Sequence, residues 1–508
     1  MDDEALGGDA GLAAVEVARP RASLGRVVEV GVVGHESSYA GPTVNPRGVD
    51  SGREIGRNAG LTTGARGPPG MTETVLLVGG GGREHAVARA LSDSDADLYA
   101  CAGNRNPGIA SLAEGFESLD TTNPTAVTSY ARDVDATLAV IGPEAPLASG
   151  VADALDDAGI YAFGPQETEA RIETDKAFQR RFMREHDIPG CPDFETFEDM
   201  DAACEFIDEY DGHLAIKPAG LTGGKGVRVT GDQISKDEAK EYVLESDYDR
   251  IVLEERLVGE EFTVQAFVAN GEVRVTPAVQ DHKRAYEGDE GPNTGGMGSY
   301  SDATLELPFM DEDDYMEAVD VLEATVDALS GYKGVLYGQF MLTAEGIKVV
   351  EFNARFGDPE AMNTLPVLNT DFLEVLTAAR EGESLPQLSF APKATVCKYA
   401  VPAGYPTDPD AGAQVTVDED SAAAAAADSD GDALLYYASV DDREDGIYTT
   451  TSRSFAVVGL ADTISEAEAI AEEVLAVAGE EGLRIRHDIG KPDLVQQRID
   501  HVAELRGE

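Results

Sequence analysis

Residues 351–360, Glu-Phe-Asn-Ala-Arg-Phe-Gly-Asp-Pro-Glu, set a carboxylate, an amide and a guanidinium close together. Alternation along a strand puts Glu351 and Asn353 on one face and Val350 and Phe352 on the other. Two oxygen donors on one face suit Mg²⁺, which binds through one or two carboxylates plus substrate phosphates and keeps several waters. No thiol or imidazole stands beside them in the sequence, so zinc is disfavoured. Arg355, fixed by the bend that follows, is placed for a phosphate or carboxylate, where its planar fork serves best. Upstream, "GVLYGQFMLTAEGIKVV" reads as a hairpin around Ala344-Glu345-Gly346, a three-residue loop ending in a left-handed glycine. That register sets Gln339 opposite Glu351.

Three further stretches carry groups suited to a nucleotide. In "HLAIKPAGLTGGKGVRVT" (213–230) two strands flank a glycine-rich loop, with Lys217 ending the first strand. Gly223, Gly224 and Gly226 could fold backbone donors over phosphates, with Lys225 as a point charge. The pattern is not the helix-capped phosphate loop, because Gly226 stands where Ser or Thr is needed. In "IVLEERLVGEEFTVQAFV" (251–268) a strand runs through Glu254, Glu255, Arg256 and Leu257, turns at Gly259 and resumes as a strand. Such a crossover offers N–H and C=O groups to an adenine edge, and a carboxylate after the turn can hold ribose hydroxyls. Taken alone, paired glutamates are a solvated surface. Finally, "DHKRAYEGDEGPNTGGMGSYS" (281–301) is long, polar and aperiodic, as functional loops are. Asn293, Thr294, Gly295, Gly296, Met297 and Gly298 form a backbone cradle there, to which Asp281, Lys283 and Arg284 bring charge.

The elements that must position these groups are α/β in pattern. "TVLLVGGGGREHAVARALS" (74–92) is a buried strand, a glycine turn and a helix, whose free N–H groups make an anion site. As a dinucleotide fingerprint it fails, because Glu84 occupies the third glycine position and no acid follows at the ribose distance. A second strand ends at Gly142-Pro143-Glu144, on the ligand side of an open sheet. Glu144 there reads equally as a ligand or as a charge complementing a helix dipole. The chain ends in short strands (394–404 and 433–440) and an alanine-rich helix (465–480).

Net charge is −57, from 39 basic and 96 acidic residues. A nucleic-acid binder needs a basic face, so that class is excluded. Apolar periodicity argues against disorder, leaving a folded protein with a solvated acidic coat, a halophilic signature. Lysines number only 11, so Lys176, Lys217, Lys225 and Lys283 each draw attention. Four cysteines without a CxxC pair give no zinc or disulfide framework. No apolar run is long enough to span a membrane, and the acidic start is not a targeting segment. The expectation is a cytoplasmic monomer. Residues 1–70 hold seven arginines, no lysine and no sustained period. They read as an extension, either disordered or preceding a misassigned start, before a strand that begins at Thr74.

The ordered motifs "VLLVGGGGREHA", "GPEAPL", "KAF" (176–178), "IKPAGLTGGKGV", "EERLVGEE", "DHKRAYEGDEGPNTGGMGSYS", "EFNARFGDPE" and "RHDIG" (486–490) closely resemble the phosphoribosylamine–glycine ligases, which are ATP-grasp enzymes. The resemblance runs from about Thr72 to the end. It implies an α/β and α+β multidomain fold: a Rossmann-like N-terminal domain (72–173), an ATP-grasp core (174–380, lid subdomain about 190–263) and a small β-rich C-terminal domain (381–508). It implies ligation of glycine to 5-phosphoribosylamine through a glycyl phosphate in purine (IMP) biosynthesis, with ATP and Mg²⁺ or Mn²⁺. Carried over, Lys176, Lys217, Gly223, Gly224, Lys225, Gly226, Glu254, Glu255, Leu257 and Glu261 become the ATP contacts. Glu351, Asn353 and Gln339 become metal ligands. Gly81, Gly82, Glu84, Lys283 and Asn293 to Met297 become the substrate side, with Asp281, Arg355 and Lys225 at the chemistry. Another ATP-grasp ligase and an NAD-dependent oxidoreductase are the alternatives.

Overall fold

The computed structural model describes residues 72–220 and 226–507. Residues 1–70 and the loop residues Gly223, Gly224 and Lys225 lie outside the described residues. The N-terminal part is a five-stranded parallel sheet built from β1 (Glu73–Val78), β2 (Ala96–Ala102), β3 (Gly115–Ser118), β4 (Leu138–Ile141) and β5 (Tyr161–Phe163), in the order β3-β2-β1-β4-β5. Val75 to Val78 are wholly buried, as continuous apolar strands are when both faces are covered. The glycine turn and Glu144 both follow carboxyl ends of strands here, at β1 and β4.

Two antiparallel sheets follow. β6 (Phe194–Phe197), β7 (Leu214–Pro218), β8 (Arg228–Val229) and β9 (Ile251–Glu255) form one sheet in the order β6-β9-β7-β8, within the segment expected as the lid subdomain. β10 (Gly259–Ala269) belongs to a separate sheet, so Arg256, Leu257 and Val258 form a hinge between the two. That second sheet adds β11 (Glu272–Val275), and its order, β11-β10-β16-β17, is completed by the hairpin β16 (Gly334–Thr343) and β17 (Gly346–Asn353).

The hairpin corrects the expected register in an instructive way. Thr343 pairs with Gly346, so the loop has two residues, one fewer than expected. Phe340 then pairs with Val349, but Gln339 pairs with Glu351, because Val350 bulges out. The bulge restores the offset that the shorter loop removes. It also changes the inner face: Val349 and Phe352 fill the core, while Val350 does not.

The 281–301 segment is not the structureless loop its composition suggests. It holds β12 (Gln280–Asp281), the small hairpin β13 (Arg284–Tyr286) and β14 (Glu290–Asn293), and β15 (Gly298–Ser301). β12 and β15 join the C-terminal sheet through β18 (Ala394–Pro402). The remaining strands are β19 (Gln414–Val415), β20 (Asp432–Tyr437), β21 (Val440–Arg443), β22 (Gly446–Thr449), β23 (Phe455–Ala461) and β24 (Leu483–Arg484). The large sheet runs β12-β15-β18-β23-β20 with β24 on β18, and β19-β22-β21 form a small one. The helix Ile464–Ala478 covers the large sheet with Ala467, Ala471, Val474 and Leu475 inward. No helix among the described residues is long and apolar enough to cross a membrane.

Candidate active site

Glu351 and Gln339 face each other across β16 and β17, as the sequence suggested, and Lys283 stands between them. Its ammonium donates to the Gln339 amide oxygen and lies 4.0 Å from Glu351 and 3.9 Å from Asp281. The Gln339 amide nitrogen donates to Glu261 at 2.5 Å. Burial works against the charge on Glu351, but Lys283, Lys176, Lys217 and Arg355 outweigh it and hold the carboxyl down at about 2. Lys283 answers in kind: burial disfavours its charge, yet Asp281, Glu351 and Glu261 raise its pKa. Glu261, in contrast, is raised, because burial exceeds the pull of Lys283.

These donors fit a hard divalent cation in part. Glu351 stays ionised and Asn353 presents an amide oxygen whose nearest donor, the Arg355 guanidinium, is 3.3 Å away. Gln339 is committed to Lys283 and Glu261, so the third-ligand role expected for it does not match its geometry. An all-oxygen set of this kind suits Mg²⁺ or Mn²⁺ rather than a thiophilic ion.

Beneath this edge lies a buried ionic floor that the sequence reading misassigned. Glu254 is 2% exposed, and its carboxylate is consumed by Arg180, at 2.8 and 3.0 Å, and by Lys217, at 2.7 Å. It therefore holds the floor together and has no free oxygen for a nucleotide. Lys217 also donates to the carbonyl of the bulged Val350 at 3.0 Å, as does Arg180 at 2.7 Å. The bulge thus has a purpose: it turns a carbonyl down onto two cations. Burial lowers the Lys217 pKa against the pull of Glu254. Lys176 starts its helix beside Ala219, with its ammonium 3.5 Å from the Gly220 carbonyl. Glu255 accepts from the Asp193 amide at 2.9 Å, and the Gly226 carbonyl accepts from Tyr242. Removing one member of such a buried group strands the others, which costs about 3–5 kcal/mol. Glu254→Leu should therefore lower unfolding free energy by about that amount in a denaturant titration. A loss under about 1 kcal/mol would mean the floor is water-filled.

Asp281 and Arg355 flank the Glu351–Asn353 edge, and each has a buried polar atom without a hydrogen bond. Asp281 Oδ1 makes no hydrogen bond among the described residues, nor does Arg355 Nε. Burial pushes the Asp281 carboxyl up to about 6, with Lys283 pulling against it. Arg355 is aimed by Glu173, at 2.9 Å, and has Glu144 3.8 Å from its Nε. Glu173 is anchored in turn by the Ala354 amide. Glu144 therefore serves the site through charge, as well as starting its helix.

On the N-terminal side several expectations need correction. Glu84 does not face a substrate: it is 1% exposed, and it accepts from the Gly81 amide at 2.6 Å and from Arg83. Its carboxylate fills the anion position at the start of its own helix, wedged against Gly79 and Gly142. Gly82 is a packing glycine, since a Cβ there would lie 2.4 Å from the Tyr399 hydroxyl. Gly81 is half-buried, and a Cβ there would lie 3.5 Å from the Asp358 carboxylate. Met297 is buried in the main apolar core, so its side chain lines nothing. Thr294 bonds the Lys283 carbonyl and, through its hydroxyl, the Gly296 amide. Of the cradle, Gly295 is exposed and Asn293 half-buried.

Arg453 carries no local signature in the sequence. From the C-terminal part it lies over the Tyr399 ring, 4.5 Å from its centroid, and donates to the Gly295 and Asp358 carbonyls at 2.8 and 2.9 Å. It also pairs with the Asp358 carboxylate at 3.1 Å, which Tyr399 bonds from the other side. Burial opposes the charge on Asp358, but Arg453 and Arg83 lower its pKa.

Sequence models of phosphoribosylglycinamide synthetase match three successive stretches: the N domain at 73–173, the ATP-grasp (A) domain at 174–361 and the C domain at 395–492. A phosphoribosylamine–glycine ligase of Methanosarcina barkeri is 52% identical over 445 residues, which is 85% of this chain and 100% of that protein. Its counterpart in Methanopyrus kandleri is 50% identical, across 85% and 99% respectively. A crystal structure of phosphoribosylamine–glycine ligase from Thermotoga maritima is similar in fold, with a TM-score of 0.68 and 25% identity over 82% of this chain and 99% of that one. The biotin carboxylase domain of Hydrogenobacter thermophilus 2-oxoglutarate carboxylase, solved with MgADP, ADP and bicarbonate, has a TM-score of 0.63 at 15% identity, a likeness of fold alone.

Proposed function

The chain belongs to the phosphoribosylglycinamide synthetase family and joins glycine to phosphoribosylamine at the expense of ATP in purine biosynthesis; on that premise we propose that Asp281 and Arg355 grip the two ends of glycine. The observation that carries this is the pair of unused buried atoms, Asp281 Oδ1 and Arg355 Nε, of opposite charge beside one metal edge. Buried polar groups are almost always bonded, so two orphans of opposite sign suit a zwitterion.

Lys176, Lys217 and the Leu257 hinge hold the nucleotide, and Glu261 serves its ribose. Glu351 and Asn353 would hold Mg²⁺ or Mn²⁺, which when bound spreads the charge of the polyphosphate. The glycine carboxylate oxygen then attacks the γ-phosphorus and ADP leaves. The amine of phosphoribosylamine attacks the acyl carbon of the resulting glycyl phosphate, the carbon–oxygen bond to phosphate breaks, and the nitrogen loses a proton. Positioning and charge neutralisation supply the catalysis, without a covalent protein intermediate. Phosphoribosylamine lies between the Gly81 turn and Asn293 to Gly295, beneath Asp358. The protein works as a monomer in a salty cytoplasm. ADP release measured with glycine or phosphoribosylamine omitted in turn tests this reading: full turnover requires both.

Asp281 also sets a pH dependence. Its carboxyl, raised to about 6, is neutral below that value and cannot hold an ammonium group. The KM for glycine should therefore rise by about tenfold per pH unit below about 6. Asp281→Asn should show uniformly weak glycine binding without that slope. A KM unchanged from pH 5 to 8 in the parent would remove Asp281 from the glycine site.

A further inference from the structure

The β13–β14 hairpin is gripped at three places by different parts of the chain. From the C-terminal segment, Arg486, wholly buried, donates to the Arg284 carbonyl at 3.1 Å and pairs with Asp289 at 2.8 Å. Arg484 bonds the Ala285 carbonyl, Asp488 accepts from the Gly288 amide at 3.0 Å, and Glu287 accepts from the His487 amide. On the substrate side the hairpin leads into Thr294 and Gly295, which Arg453 and Tyr405 hold. On the third side the Arg284 guanidinium reaches the lid: it donates to Asp232 at 2.8 Å and to the Gly291 carbonyl at 2.8 Å. Asp232 follows β8, and the adjacent Gly231 carbonyl is bonded by Arg256 of the hinge at 2.9 Å. Both partners of the Arg284–Asp232 pair are part-exposed, at 26% and 42%, so water can replace either partner where the pair parts.

We infer that Arg284 is a positioning residue: through Asp232 it ties lid closure over the nucleotide to the ordering of the strand and cradle that face phosphoribosylamine. This rests on the function proposed above. The consequence is chemical. An acyl phosphate met by water yields glycine and phosphate, with ADP formed but no amide. A lid tied to the cradle keeps water out until the amine attacks. A merely structural pair would alter stability but not this partition.

The test is the ratio of ADP released to glycinamide ribonucleotide formed, on full-length enzyme with saturating ATP, glycine and phosphoribosylamine. The parent should give about one. Arg284→Gln and Asp232→Asn should each raise the ratio to about two or more, and the exchanged pair Arg284→Asp with Asp232→Arg should return it toward one. A ratio of one in both single variants overturns the inference, as does a rise that the exchange leaves in place. Melting temperatures, which should move by only a few degrees for a part-exposed pair, identify any variant that misfolds, and Arg284→Met, which keeps the aliphatic stem without the charge, then serves in its place. A parent that forms no amide at all would refute the proposed function instead.

Discussion

Glu351→Gln is expected to lower ligase turnover by about a thousandfold or more while leaving the fold intact. The loss corresponds to the several kcal/mol that a metal-bound carboxylate contributes to neutralising a phosphoryl transition state. The fold survives because Glu351 is part-exposed and the cations that hold its carboxyl down have other carboxylate partners. Removing its charge leaves Lys283 paired with Asp281, Lys217 with Glu254 and Arg355 with Glu173. The melting temperature should fall by only a few degrees, because a carboxyl held low contributes stability when ionised but this one is part-exposed, and the Asp281 carboxyl should titrate lower. Steady-state ADP release beside a thermal melt checks both halves. Turnover above about a tenth of the parent would show that Glu351 does not carry the cation.

The second large effect is on stability. A net charge of −57 repels itself across the whole surface. The Debye length is about 30 Å at 0.01 M salt and about 3 Å at 1 M, so screening decides whether the folded state survives. Melting temperature should climb by on the order of 10 °C or more between 0.1 and 2 M KCl. NaCl should act alike, since screening does not distinguish the cations. A flat profile would mean that the acidic coat is neutralised in some other way.

The sequence carried the scaffold well because the scaffold is written locally. Apolar runs, glycine turns and strand alternation identified β1, the β7–β8 pair and the β16–β17 hairpin, together with Glu351 facing Gln339. Even there the pairing came out right through two compensating departures, a shorter loop and a bulge at Val350. What the sequence hid was pairing at long range. Arg180 meets Glu254 from 74 positions away, and Arg453 reaches the Gly295 carbonyl from 158. No local pattern announces such partners, so Glu254 read as a ligand when it is a buried anchor. Glu84 misled for the opposite reason: its helix start attracts anions, and the nearest anion is its own side chain. Composition misled at 281–301, where polar residues pair into strands because β18 supplies the missing edge.

The proposed ligation requires glycine's carboxylate to meet the γ-phosphate at the Glu351–Asn353 edge. Glycine labelled with ¹⁸O in both carboxyl oxygens, turned over with ATP and phosphoribosylamine, tests this most directly by mass spectrometry of the products. The account predicts one labelled oxygen in each phosphate released and one kept in the amide. Unlabelled phosphate alongside amide product would contradict it.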